Sequence, residues 1–255
     1  MLSLAAEKEI ETFALTDHDT VDGLVEAQDV ADREDIKLVP GTELTCYWNN
    51  RIVHIIGLGI DTASKTLIKY LDGIRQLREE RSLLIAQRLK KKGLPDVLEL
   101  AEEYAGGGQI GRPHFARALV AAGAVNSEQQ AFKQWLGAGK IGDVKVEWPQ
   151  LQQSVESIKE SGGFAVIAHP TKYKFTFTKI RSLADDFLAV GGDGIEVAYP
   201  GLKPNHLSEL SRLAEQRGLL VSAGSDFHNP QWNWTGLGKF PRIEVDERHI
   251  LSKLV

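Results

Sequence analysis

Residue types that bind metal ions recur in this sequence near the ends of short apolar runs. Asp17 and His18 follow the run 12–15 after Thr16, and Glu43 comes shortly after the run 36–40. Four more residues of the same kind occur further along the chain: His54, His169, Asp226 and His228. Carboxylates and imidazoles without sulfur suit Mn²⁺, Fe²⁺ or Zn²⁺ rather than Cu(I) or an iron–sulfur cluster.

Some of these residues also have an ordinary structural explanation. Asp19 or Thr20, next to His18, would cap a helix predicted over 21–35 by accepting its first backbone N–H groups. His54 lies in an apolar stretch, where a lone histidine is more often a core residue than a ligand. Because chance would place only one or two such residues at strand ends, the joint pattern favours a metal site.

The elements that must position these side chains alternate between strand and helix. Apolar runs predict strands over 12–15, 36–40, 51–58, 163–168, 194–198 and 219–223. Amphipathic spacing predicts helices over 21–35, 178–190 and 204–217. The runs 36–40 and 51–58 are expected to form a hairpin that turns at Asn49-Asn50. Because parallel strands gather their carboxyl ends on one face, such an α/β fold brings the metal-ligand residues together.

Residues 65–158 differ from the rest of the chain, because they show helical periodicity and few strand signals. An apolar stripe from Leu67 to Leu89 predicts a long helix that ends at Lys90-Lys91-Lys92-Gly93. Shorter helices are predicted over 96–104, 112–122 and 127–136. We therefore expect a helical insertion at 65–158, with 1–64 and 159–255 as the two parts of the α/β domain.

The composition limits the classes of protein to which this chain can belong. The 255 residues include a single cysteine, Cys46, which excludes an internal disulfide and a thiolate zinc cluster within one chain. No stretch approaches the roughly 20 apolar residues of a membrane span, and the first residues lack the basic-then-apolar order of a signal peptide. A cytoplasmic protein without a membrane or a stable protein partner is expected. The net charge of −5 disfavours broad nucleic-acid binding but allows a small phosphate pocket.

The number of candidate ligands predicts the chemistry of the site. They exceed what one ion needs, so two or more ions sharing a bridging carboxylate, Glu43, are expected. Such clusters activate a bridging water as hydroxide and neutralise a phosphoryl group during in-line displacement. The sequence therefore predicts hydrolysis of a phosphate ester.

Six spaced motifs resemble those of the PHP (polymerase and histidinol phosphatase) superfamily, in the same order. They are Thr16-Asp17-His18-Asp19-Thr20, Gly41-Thr42-Glu43, His54 with Gly57-Leu58, Ala168-His169-Pro170, Gly194-Ile195-Glu196-Val197 and Gly224-Ser225-Asp226-Phe227-His228. The insertion, with Gly111-Arg112-Pro113-His114-Phe115, resembles the branch of 3′,5′-nucleoside bisphosphate phosphatases and an exoribonuclease that acts on short RNA 5′ ends.

This resemblance implies a distorted, TIM-like seven-stranded β/α barrel that binds two or three divalent metal ions. Manganese is the expected metal, with iron or zinc as the alternatives. The implied ligands are His18, Glu43, His54, His169, Asp226 and His228, with Asp17 beside them. His18 and His228 are the candidate catalytic proton relays, and the implied substrate is a small phosphorylated nucleotide or a short RNA 5′ end.

The sequence departs from the family pattern near its start. The first strand of the family carries a His-X-His motif, and this sequence lacks that motif. We expect a truncated chain or a misassigned start, with roughly 20 more residues, enough for a strand, a loop and the start of a helix. A degenerate, non-catalytic barrel that serves as a binding module is the rival interpretation from another class. Histidinol-phosphate phosphatase is the alternative enzyme, because it shares the metal motifs.

Candidate substrate-binding residues lie in the insertion: Arg78, Arg81, Arg112, His114 and Lys140. Arginine presents a planar fork that grips two phosphate oxygens at once, although Arg78 and Arg81 also suit a solvated helix face. Glu196 is left out of the ligand set as a structural polar contact, and His206 and His249 are expected on solvated helices. Trp232 and Trp234 are candidates for base stacking, with packing at the rim as the alternative.

Overall fold

Six strands form one mixed sheet in the computed structural model of the protein, which describes residues 1–228 and 235–254. The strands are β1 Thr12–Leu15, β2 Lys37–Trp48, β3 Arg51–Leu58, β4 Phe164–Ile167, β5 Gly194–Ala198 and β6 Leu220–Ala223. They are ordered β1-β2-β3-β4-β5-β6, with β2/β3 and β3/β4 antiparallel and the other pairs parallel. The predicted α/β class is confirmed, whereas a seventh strand is not found among the described residues.

The hairpin of β2 and β3 differs from its prediction in one respect that concerns the site. Asn49 and Asn50 both have positive φ values, 47° and 57°, as a two-residue hairpin turn requires. β2 does not end at residue 40, because it continues through the antiparallel register with β3 up to Trp48 opposite Arg51. Glu43 therefore lies inside a strand, and the expectation that it follows a strand end is wrong.

Helices pack apolar faces around this sheet. The helices of the first compact unit, Met1–Tyr70 with Pro149–Val255, include α1 Leu2–Ala6, α2 Leu24–Arg33, α7 Leu151–Glu160, α8 Phe177–Ala189, α9 Pro204–Arg217 and α10 Leu251–Leu254. On α8, Ile180, Leu183 and Phe187 are fully buried. Each such side chain contributes roughly 1.5–3 kcal/mol of burial free energy.

The second compact unit, Leu71–Trp148, is helical and has its own core. It contains most of α3 Lys65–Lys90, followed by α4 Leu98–Ala105, α5 Arg112–Ala121, α6 Glu128–Ala131 and the π-helical turn Phe132–Leu136. Ile85, Leu89, Phe115 and Leu119 are buried in its centre. Among the helices that the structure describes, even the 26-residue α3 is too polar to span a membrane.

Candidate metal centre

One buried carboxylate, that of Glu43, is contacted by three imidazoles. Its Oε1 atom lies 2.9 Å from Nδ1 of His54 and 2.8 Å from Nε2 of His169. Its Oε2 atom lies 3.7 Å from Nδ1 of His18. The Glu43 residue is only 6% exposed, so these contacts are shielded from bulk water. Residues from three separate stretches of the chain therefore meet at a single carboxylate.

Backbone pairing explains how the loop after β1 reaches Glu43. The Glu43 N–H donates to the Asp17 carbonyl oxygen and the Asp19 N–H donates to the Glu43 carbonyl oxygen, each at 3.0 Å. Asp19 is fully buried, and its carboxylate accepts hydrogen bonds from the N–H and hydroxyl of Thr45 at 2.6 and 2.7 Å. Asp19 thus anchors the loop to β2. His18, which lies between Asp17 and Asp19, is therefore held beside the Glu43 carboxylate.

The alternative that Asp19 or Thr20 caps the following helix is wrong. Helix α2 begins at Leu24, and no side chain accepts a hydrogen bond at its N-cap, Gly23. The hydroxyl of Thr20 accepts from the N–H of Asp22 at 3.1 Å, which closes a turn before the helix. Asp19 therefore binds β2 and Thr20 closes a turn, and neither residue caps α2.

His54 and His169 complete the group around Glu43. The His54 ring lies edge-on to the rings of His18 and His169, with centroids 5.0 and 5.4 Å apart. His169 follows β4 with a φ of 28°, a value that non-glycine residues adopt at a cost of order 1–3 kcal/mol. Its N–H donates to Oε2 of Glu196 at 2.6 Å, a contact that helps to hold this backbone in place.

Asp17, Asp226 and His228 form a second group beside the first. The rings of His228 and His18 lie with centroids 5.7 Å apart. Nδ1 of His228 lies 3.0 Å from the carbonyl oxygen and 3.4 Å from Oδ1 of Asp226. Burial raises the pKa of Asp17, and the nearby His228 counteracts that shift. Asp226 also forms an ion pair with Lys172.

The electrostatics of the centre favour a charged Glu43. Burial alone would raise its pKa, but His18, His169 and His54 together lower the pKa well below its usual range. Burial lowers the pKa of His169, but Glu43, together with Glu196 and Asp226, raises it on balance. The pKa of Glu196, by contrast, is raised to about 7. Burial is the main cause, Glu43 and Asp226 add to it, and His169 opposes it.

A cavity of about 620 Å³ opens beside these side chains. Its polar wall includes Asp17, His18, Glu43, His169, Glu196, Asp226, His228 and His249, and its apolar wall comes largely from β1 and the last twenty residues. His249 is buried, because residues 248–250 pair with Val221 of β6. The expectation that His249 is solvated is therefore wrong, whereas His206 on α9 is half-buried against Phe177.

The donor set fits divalent metal ions. One ligand atom each from His18, Glu43 and His54 lies within 4.8 Å of the others, close enough to share a cation. Nδ1 of His169 is buried, and no residue in the described part of the chain forms a hydrogen bond with it. A charged carboxylate among imidazoles, with further carboxylates nearby, is the mixed oxygen and nitrogen environment that divalent first-row metals bind.

The predicted substrate-binding residues all lie in the second unit, where four of them have partners. The Arg112 guanidinium donates to the Leu136 carbonyl oxygen and to Asp143 Oδ1 at 3.1 and 3.2 Å. Further contacts join Arg81 Nε to the Val144 carbonyl oxygen, the Arg78 guanidinium to the Trp148 ring, and the Gly111 N–H to His114 Nδ1. Lys140 is exposed. Trp232 and Trp234 lie outside the described residues.

Two residues near the centre escaped the sequence analysis. The Tyr173 hydroxyl accepts the His54 N–H at 2.8 Å and donates to the Ala168 carbonyl oxygen at 2.9 Å. Lys172 precedes it and reaches Asp226. Both follow His169-Pro170 in a 3₁₀ turn, Pro170–Tyr173, so proximity to a candidate ligand was their only signal in the sequence.

Comparisons with known proteins identify relatives of this chain. The chain is 40% identical over 230 residues to a 5′-3′ exoribonuclease of Haemophilus influenzae, covering 90% of this chain and 83% of that protein. It is 39% identical over 231 residues to a 3′,5′-nucleoside bisphosphate phosphatase of Chromobacterium violaceum, covering 90% and 81%. No protein-family model matches the chain.

Solved structures show the same fold. An amidohydrolase from Chromobacterium violaceum, with bound sulfate and no metal, superposes with a TM-score of 0.90 at 37% identity, covering 99% of this chain and 88% of that one. A putative metal-dependent phosphoesterase from Bifidobacterium adolescentis gives a TM-score of 0.83 at 27% identity, covering 93% and 84%. This chain belongs to the PHP superfamily, in the branch of the 5′-3′ exoribonucleases and 3′,5′-nucleoside bisphosphate phosphatases.

Proposed function

We propose that this protein is a metal-dependent phosphoesterase that hydrolyses 3′,5′-nucleoside bisphosphates or the 5′ ends of short RNA. The observation that carries the proposal is the buried Glu43 carboxylate contacted by His18, His54 and His169. A structural role would not require three imidazoles around one buried acid. The names of relatives that are about 40% identical support the same chemistry.

Divalent ions in this centre would supply Lewis-acid activation of water and neutralise charge on the phosphoryl group. Glu43, His18 and His54 would hold one ion, and His169, Asp17, Asp226 and His228 extend the set to the two or three ions that we propose. Manganese is our choice, with iron or zinc as the alternatives, because hard oxygen ligands accompany the imidazoles.

His18 and His228 are the proposed proton relays. In the neutral tautomer of His228 that donates from Nδ1 to the Asp226 carbonyl oxygen, the lone pair on Nε2 can either bind metal or take up a proton. The side chain of His228 is 44% exposed, so it can exchange protons with solvent. His18 lies between this ring and Glu43, where it can either bind metal or pass on a proton.

Two structural features belong to this proposal. The seventh strand of the barrel would lie between the edge strands β1 and β6, and β1 and the segment after β6 both contribute to the cavity wall.

The helical insertion, proposed as residues 65–158, would supply phosphate contacts through Arg112 and His114, with Arg78, Arg81 and Lys140 as further candidates. These residues can be tested through the Michaelis constants of their alanine variants.

A panel of substrates tests the proposed function. We expect Mn²⁺-dependent release of phosphate from adenosine 3′,5′-bisphosphate, or of mononucleotides from a 5′-phosphorylated short RNA, and no turnover after chelation. Turnover of histidinol phosphate alone would support the alternative enzyme instead. Stoichiometric metal binding without turnover of any of the three would identify a non-catalytic binding module.

A further inference from the structure

Lys172 brings a positive charge to the outer side of the centre. It lies in the turn Pro170–Tyr173 directly after His169, and its ammonium pairs with Oδ2 of Asp226. The side chain of Lys172 is 32% exposed and that of Asp226 is 18% exposed. Asp226 lines the cavity, so the ammonium of Lys172 lies next to the cavity wall and is partly open to solvent.

The partner of Lys172 is a carboxylate that the proposed function assigns to metal binding. Oδ1 of Asp226 already lies 3.4 Å from Nδ1 of His228, so the ammonium occupies the other oxygen. A divalent cation at Asp226 would compete with the ammonium for the same carboxylate, since both are attracted to it and repel each other. Metal binding would therefore weaken the bond between Lys172 and Asp226.

A second contact of the Lys172 ammonium does not involve Asp226 and would keep the lysine close to the site after displacement. Its ammonium lies 5.7 Å from the centroid of the Tyr199 ring, within the range of a cation–π interaction. The Tyr199 hydroxyl is held by the N–H and the hydroxyl of Thr171 at 2.9 and 2.8 Å. Thr171 thus fixes the position of the Tyr199 ring beneath Lys172, and this position does not depend on Asp226.

We propose that Lys172 is a phosphate-binding residue that Asp226 holds until metal binds and that then contacts the phosphoryl group of the substrate. The proposal rests on the function given above. Lysine suits this exchange, because its ammonium is a compact charge on a flexible four-carbon stem and binds phosphate without a fixed orientation.

The alternative is that Lys172 only fixes the Asp226 carboxylate, and the two roles predict opposite effects on metal affinity. Lys172→Met removes a competitor of the metal, so we expect Mn²⁺ to bind the metal-free protein as tightly as wild type or more tightly. With Mn²⁺ saturating, we expect inorganic phosphate to bind about tenfold or more weakly, as the loss of one charge-assisted hydrogen bond implies. Both affinities can be measured by calorimetry without turnover.

Matched variants control this experiment. Lys174→Met makes the same change of charge two residues away, at an exposed side chain, and should leave both affinities unchanged. Lys172→Gln keeps a hydrogen-bond donor without the charge, so it is the second variant should the methionine variant unfold, and it should also lose phosphate affinity because a neutral donor binds phosphate more weakly. Weaker Mn²⁺ binding, or unchanged phosphate binding, in a folded Lys172 variant would overturn the proposal.

The same measurements separate this inference from the proposed function. Wild-type protein that binds Mn²⁺ and hydrolyses the bisphosphate, with Lys172→Met binding phosphate normally, would refute the role of Lys172 alone. Wild-type protein that binds neither Mn²⁺ nor phosphate would refute both proposals.

Discussion

The roles of individual residues in the centre follow from which atoms they present to Glu43. Sequence reasoning selected His18, His54 and His169 by type and position, and the structure brings all three to the same carboxylate. Sequence reasoning could not identify Tyr173, because a tyrosine four residues beyond a histidine has no distinctive pattern. Its importance arises only from where β3 and β4 lie in the sheet.

Tyr173→Phe tests this positioning role. The hydroxyl links the His54 N–H to the Ala168 carbonyl oxygen, so its loss leaves the backbone next to His54 and His169 without that support. We expect roughly 10-fold weaker Mn²⁺ binding, in the range known for groups that orient metal ligands. Calorimetric titration measures it, with Tyr104→Phe, at a 40% exposed tyrosine, as control. Equal affinities in the two variants would refute the role.

Among the elements, the strands and helices were largely predictable because their hydrophobic periodicity is local. The predicted strand 194–198 and helix 204–217 match β5 and α9 residue for residue. The full length of β2 and the burial of His249 were not predictable, because each depends on pairing with a distant strand. Periodicity does not report which strand a segment will pair with.

Gly41 lies where β2 approaches both β3 and the loop after β1. A Cβ atom there would lie 2.7 Å from the Gly57 carbonyl oxygen and 2.8 Å from Cγ2 of Thr16. We expect Gly41→Ala to lower the free energy of unfolding by about 1–3 kcal/mol through overpacking. Gly73→Ala is the control, since its Cβ meets no atom within 4 Å in helix α3.

Gly73→Ala should stabilise its helix by up to about 1 kcal/mol, because alanine has the higher helix propensity. Urea titration of both variants measures the two effects. A Gly41→Ala variant as stable as wild type would show that the approach of β2 to β3 is looser than described.

Helix α5 carries a histidine whose protonation should destabilise it. Burial, with added repulsion from Arg117 and Arg78, lowers the pKa of His114 below its ordinary value of 6.5. The unfolded chain therefore binds this proton more readily than the folded one, and the stability that neutral His114 provides is lost as pH falls below about 6.5.

His114→Gln should reduce this pH dependence while a side-chain oxygen still accepts the Gly111 N–H. Amide hydrogen exchange of α5 at pH 7.5 and 5.5 measures the opening free energy. We expect a larger loss at pH 5.5 in wild type than in the variant. The same loss in both proteins would show that His114 does not titrate differently on folding.

For the whole molecule, the candidate ligands come from stretches of the chain as distant as Asp17 and His228. The strand–helix alternation predicted their convergence, because the order of strands in an α/β fold determines which ends are neighbours. The sequence could not predict that Glu196 would line the same cavity, or that Lys172 would pair with Asp226. These contacts depend on side-chain directions that only the assembled sheet defines.

The central claim is that the carboxylate of Glu43 organises a metal centre that hydrolyses phosphate esters. Its most direct test compares Mn²⁺ stoichiometry and phosphate release from adenosine 3′,5′-bisphosphate in wild type and in Glu43→Gln. Glutamine retains the size of the side chain but not its negative charge, so we expect loss of bound Mn²⁺ and at least a 100-fold lower rate, consistent with loss of a ligand rather than of its support. Glu160→Gln, at an exposed glutamate of α7, should behave as wild type. Full Mn²⁺ binding and undiminished phosphate release by a folded Glu43→Gln protein would contradict the claim.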